Sequence, residues 1–178
     1  MLLIVLLVNL YISGFSQLFP PFEGIGKNIL FADTLIEKNQ INWHIGRIKN
    51  DINSDKPNNL DLSYYNLAIC YSARKQIDST CFYLFKCIGK SSIYNRLIFT
   101  DTDFDFLHQT PCWGMVVSLI DSAYLGDHPN ITNKELAVEL YHIYIKDQNM
   151  RGLGLKKVAN TLPNPDYDNL KRVEEIIK

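Results

Sequence analysis

Residues 64–89 read YYNLAICYSARKQIDSTCFYLFKCIG, and the fold of the chain follows from how that stretch is parsed. Leu60, Tyr64, Leu67 and Tyr71 fall at i, i+4, i+7 and i+11, one stripe of a 3.6-residue helix. Ile77, Cys81, Leu84 and Ile88 repeat the spacing on a second segment. Residues 72–76 between them are polar and too few for anything but a tight reversal, so the two helices must pack antiparallel as an αα-hairpin.

Residue type adds to spacing. Tyr64, Leu67, Ala68 and Tyr71 on the first helix, with Thr80, Leu84 and Cys87 on the second, resemble a tetratricopeptide repeat. Ala68 stands where that family places a small residue so that the partner helix can approach. Thr80 and Cys87 replace the usual alanines, and Lys75 occupies a turn position where glycine is common. The resemblance covers 26 of the 178 residues. One such repeat cannot bury its own apolar face, so flanking hairpins are expected.

The flanks supply them. Residues 28–38 are weakly amphipathic, and Ile41, Ile45, Ile48 and Ile52 make a clean stripe with Arg47 and Lys49 pointing away. The segment NSDKPNN (53–59) has the composition of a turn. Downstream, Thr110-Pro111 predicts an N-cap and first helical residue, followed by a stripe of Trp113, Val117, Ile120 and Tyr124. Asp103 is expected to cap a short turn carrying Phe104 and Leu107. Asp101, Asp103 and Asp105 share the opening spacing of a calcium loop, but the glycine and closing glutamate are missing, so capping is the preferred reading. GDHPNITN (126–133) is expected to be a linker. Thr132 with Glu135 makes a capping box for a helix running to about Met150. Leu136, Leu140 and Ile143 are its expected buried stripe, with Ala137, Tyr141 and Tyr144 adjoining.

The predicted fold is all-α: stacked antiparallel helical hairpins forming a short tetratricopeptide-like solenoid over 28–125, a linker at 126–133, and the first helices of a second helical domain over 134–178. Composition agrees, with 47% hydrophobic and 21% charged residues, the usage of a globular protein. A net charge of −1 and the lack of a dense basic cluster argue against nucleic acid as a partner.

MLLIVLLVNLYISGFS (1–16) reads as a signal peptide, with Gly14 and Ser16 at −3 and −1 of a cleavage point before Gln17, although no Lys or Arg precedes the apolar run. Residues 17–27 are then a tether. A periplasmic or secreted location follows, with membrane association only if the signal stays uncleaved. Export permits disulfides. The four cysteines, Cys70, Cys81, Cys87 and Cys112, allow three complete pairings. Cys70 and Cys81 face each other across the hairpin and are the first pair to test, while the apolar-helix positions of Cys81 and Cys87 favour buried thiols.

The candidate site is polar. Asp147-Gln148-x-x-Arg151 puts three polar side chains at i, i+1 and i+4 near the end of the last long helix, and Asn169 would approach from a following one. Asp147 would orient Arg151, and Gln148 would offer a donor and an acceptor to a ligand. A plain i,i+4 ion pair, worth about 0.3–0.5 kcal/mol, is the competing explanation. This C-terminal stretch is similar to an uncharacterised bacterial domain family carrying an Asp-Gln-x-x-Arg helix and a later Asp-x-x-Asn motif, matched here by Asp166 and Asn169 and then by Leu170, Ile176 and Ile177. The resemblance implies a fold neighbour and no chemistry; it also implies further helices, so that the domain is expected to be truncated at Lys178.

His44, His108, His128 and His142 show no metal-ligand spacing, no C-x-x-C is present, and no nucleophile elbow occurs. No catalytic residue, metal or cofactor is therefore assigned. The expected function is an exported protein- or peptide-binding scaffold, using a concave face lined by tyrosines such as Tyr65 and Tyr71. The alternative is an enzyme whose C-terminal site, including Gln148 and Arg151, is incomplete in this chain.

Overall fold

The computed structural model describes residues 29–30, 32–54, 59–89 and 92–152, together with Lys171, Arg172 and Glu175. The expected signal peptide and tether lie outside the described residues, as do the side chains of 147–152. All regular structure within the described residues is helical: α1 (Ala32–Glu37), α2 (Ile41–Ile52), α3 (Leu60–Ser72), α4 (Ile77–Cys87), α5 (Ser92–Thr100), a 3-10 helix (Thr102–Leu107), α6 (Pro111–Asp127) and α7 (Lys134–Gly152). None of these is long and apolar enough to cross a membrane.

The helices stack. Helix α3 packs most extensively on α4 and α2, then on α1 and α5; α4 meets α6, α5 meets α7, and α6 meets α7. Each helix thus touches the one or two next in the chain, the contact pattern of hairpins laid one upon another. Helix α3 lies at the centre. Tyr65 to Cys70 are buried in an unbroken run, because neighbours cover α3 on nearly all sides and an apolar helix so enclosed has no solvent face. The single stripe expected for it was too narrow.

Local chemistry sets the boundaries. The Asn59 side chain accepts from Leu62 N–H at 3.0 Å and opens α3. At its other end Lys75 has φ +55°, the left-handed conformation that glycine adopts most readily. Gly89 takes φ +82° just beyond α4.

Three details differ from expectation. Asp101, not Asp103, caps the 3-10 helix, accepting from Asp103 N–H at 2.9 Å, because the chain stays extended at Asp101 and turns at the next residue. The Thr110 hydroxyl bonds back to Leu107 O at 2.7 Å instead of capping α6. Asn133 rather than Thr132 caps α7, accepting from Leu136 N–H at 3.1 Å.

The cysteines also divide differently. Cys81 and Cys112 form a disulfide, while Cys70 and Cys87 are buried thiols. The pairing of Cys70 with Cys81 is overturned, and so is the reading of Cys81 as a buried thiol: α4 turns Cys81 toward α6, leaving Cys70 inside the α3 core. The bridge therefore ties successive hairpins together and does not close one. The buried stripe on α6 is accordingly Cys112, Val116 and Ile120; of the expected stripe Ile120 is buried, while Trp113, Val117 and Tyr124 are half-buried. Below it Phe104 and Leu107 are fully buried, each worth roughly 1.5–3 kcal/mol of apolar transfer.

Candidate functional site

Asp147, Gln148 and Arg151 lie in the last turns of α7, with side chains outside the described residues; Asn169 lies outside them altogether. The described part of α7 leads into a polar and aromatic cluster that sequence reasoning missed. Its buried residues are Tyr141 and Ile145, while Leu136, Leu140 and Ile143 are half-buried, so the inward stripe is the adjoining one.

Arg96 on α5 is only 2% exposed, and its guanidinium donates to the Tyr144 hydroxyl at 3.2 Å. Tyr141 stacks on Tyr124 of α6 with centroids 4.1 Å apart and planes 3° apart. Burial raises the Tyr141 hydroxyl pKa, against the pull of Arg96. His142 Nε2 meets Asp121 Oδ1 at 2.6 Å, and its ring packs on Phe99 at 4.6 Å. Three helices thus meet through polar groups as well as rings. The sequence signal was slight: Arg96 sits in SIYNRLIFT, an otherwise uncharged helix in which a buried charge has to find a partner.

A second polar knot lies beneath α1. The Tyr65 hydroxyl donates to Asp101, the Ser72 hydroxyl donates to Asp103 O, and Asp103 Oδ2 accepts from Ala32 N–H at 2.8 Å. Burial pushes the Asp101 carboxyl up from 3.8 to about 6, the Tyr65 bond opposing and the Asp103 charge assisting. The Asp103 carboxyl is raised too, again mainly by burial. Tyr65 is 1% exposed and belongs to this knot; the expectation that it lines a groove is corrected.

A further set of aromatic residues lies outward, along the seam where α2 and α4 both rest on α3. Tyr71 stacks on Tyr83 at 5.4 Å with planes 8° apart, and Tyr64 stacks on Tyr83 at 6.4 Å. Lys49 Nζ lies 5.6 Å from the Tyr71 ring centre. Hydrogen bonding to Tyr71 raises the Lys49 pKa against burial, so the ammonium stays charged. Phe82 meets Tyr83 edge-on at 5.0 Å and carries Lys86 over its own face at 5.6 Å. One helix face away, Arg47 covers Trp43 at 5.2 Å.

Among the described residues no group of three or more His, Cys, Asp or Glu side chains is placed to hold a metal ion. Comparison of the chain with protein-family models, with curated proteins and with solved structures finds no match.

Proposed function

We propose that this chain is an exported helical-repeat protein of tetratricopeptide-like type that works as a protein- or peptide-binding scaffold. The observation carrying the reading is where large apolar side chains face water. Trp43 (61% exposed) is on α2, Ile77 and Phe82 (53%) on α4, and Met115 (52%) and Leu119 on α6; of this group only Ile36 lies elsewhere. These helices alternate along the chain and α4 packs on α6, so the exposed side chains fall on one set of helices instead of being scattered. Apolar surface gathered in this way marks an interaction surface. The Cys81–Cys112 bridge supports export, since such bonds persist in oxidising compartments.

A photo-crosslinking residue placed at Trp43, and separately at Met115, tests the scaffold reading in cells that make the protein. A discrete crosslinked product is expected from at least one position. Smears or solvent quenching at both would end it.

A second reading is favoured by the 2.6 Å His142–Asp121 pair. It is an imidazole oriented by a carboxylate, on the helix that bears Gln148 and Arg151, as an enzyme site in the C-terminal region would require. Loss of a ligand-induced His142 NMR shift in Asp121→Asn would support it; no response to any ligand would remove it.

A further inference from the structure

We infer that the α2–α4 seam, built from Lys49, Tyr64, Tyr71, Tyr83, Phe82 and Lys86, receives an extended acidic segment of a partner protein with aromatic or aliphatic side chains between its carboxylates. The inference rests on the scaffold reading and assigns it a face and a chemistry.

Charge is the first ground. Residues 41–89 hold six Lys and Arg against four Asp and Glu, whereas residues 92–152 hold four against eight. The near-neutral total hides a mildly basic segment and an acidic one.

The second ground is what the cations touch. Arg47, Lys49, Lys75 and Lys86 each lie over an aromatic ring at 4.6–5.6 Å, and Arg74 donates to Asn42. None of the five makes a direct ion pair with a carboxylate among the described residues, although the charge of Lys75 is felt by Asp103. A cation on a ring keeps its full charge and its outward hydrogen-bond capacity, so a carboxylate can be added without displacing an existing ion pair.

Geometry is the third. Helices α2 and α4 both pack on α3 but make no substantial contact with each other. The Tyr64–Tyr83–Tyr71 row therefore runs along the seam between two walls, Lys49 on one and Phe82 with Lys86 on the other. Rings of this kind offer contact area at low entropic cost, and cations at the edge select for acidic chains.

The test uses the full-length oxidised protein and two fluorescein-labelled twelve-residue peptides, one alternating Glu with Phe and the other alternating Lys with Phe. Binding of the Glu peptide alone is expected, weakening steeply between 0.1 M and 1 M salt as the screening length shrinks from about 10 to about 3 Å. Lys49→Glu with Lys86→Glu should weaken it roughly tenfold or more, and Phe82→Ser several-fold. Lys134→Glu, on α7, should leave it unchanged. All four positions lie on exposed helix faces, and circular dichroism of each variant confirms that the stack is intact. Equal affinity for the double variant, no peptide binding at any concentration, or binding only to phosphatidylglycerol vesicles would each overturn the inference. If crosslinking from Met115 still captured a partner in those cases, the scaffold reading would stand and only this face would be wrong.

Discussion

The α2–α4 seam and the α5–α7 junction use the same residue types to opposite ends. In the seam, cations lie on tyrosine and phenylalanine rings at the surface and form no ion pair among the described residues. At the junction Arg96 is buried against Tyr144, Tyr141 stacks flat on Tyr124, and His142 is held by Asp121. A surface cation on a ring contributes about 0.5–1 kcal/mol and can be rearranged freely. A buried guanidinium loses several kcal/mol of hydration and is tolerated only with its partners in place. The seam is therefore the adaptable region, and the junction fixes how the last hairpin sits.

The strongest way to break that contrast is at the two arginines. Arg96→Ala should lower stability by about 2–4 kcal/mol, since it opens a cavity in the packed junction and removes the hydrogen bond to Tyr144. Arg47→Ala should cost under about 1 kcal/mol. Urea midpoints measure both. Comparable losses at the two sites would mean that burial does not separate the regions.

The disulfide comes next because it spans them, α4 belonging to the seam and α6 to the junction. A loop of 31 residues gives an expected contribution of about 3–4 kcal/mol from the entropy of the unfolded chain. Reduction should lower the melting temperature by a matching amount and leave Cys70 unlabelled by thiol reagents, its pKa being pushed up to about 12 by burial. An unchanged melting temperature would mean that packing alone holds the hairpins in register.

Asp101 predicts an unusual pH profile. Its carboxyl binds a proton more readily in the folded chain, about 6, than at the ordinary 3.8. The folded state is thus favoured by this group below about 3.8, and the benefit disappears as pH rises through about 6. The amount is on the order of 2–3 kcal/mol. Unfolding measured from pH 4 to 7 should show it, and Asp101→Asn should flatten the profile. A wild-type profile rising steadily over that range would contradict the protonated, buried form of Asp101.

The hairpin was legible because Leu67, Cys81 and Leu84 recur at helical spacing and a short polar turn leaves one way to pack them. So was the all-helical stack, since one hairpin needs others. Partners were less legible, because phase within a helix depends on which neighbours cover it. Cys81 faces α6 and Tyr65 faces the 3-10 helix for reasons that lie in other segments. The junction was invisible for the same cause: Arg96, Asp121 and His142 are 21 to 46 residues apart in sequence, without a shared motif. Asp147 and Gln148 drew attention as a local pattern, while the described contacts of α7 run through Tyr141, His142 and Tyr144.

Lys75 gives the smallest effect and the finest separation of causes. It ends the turn between α3 and α4 at φ +55°, while its ammonium sits 4.6 Å from the centre of the Phe106 ring and acts on the Asp103 carboxylate. The backbone conformation costs about 1–2 kcal/mol for a residue with a side chain, and the ring contact returns about 0.5–1. Lys75→Ala keeps the strain and loses the contact, so it should cost up to about 1 kcal/mol. Lys75→Gly loses both, but it also gives the unfolded chain more freedom, and it should fall within about 0.5 kcal/mol of wild type. The glycine variant should therefore be the more stable of the two. If alanine were equal or better, the positive φ would not strain the turn, and the ring contact would account for lysine there.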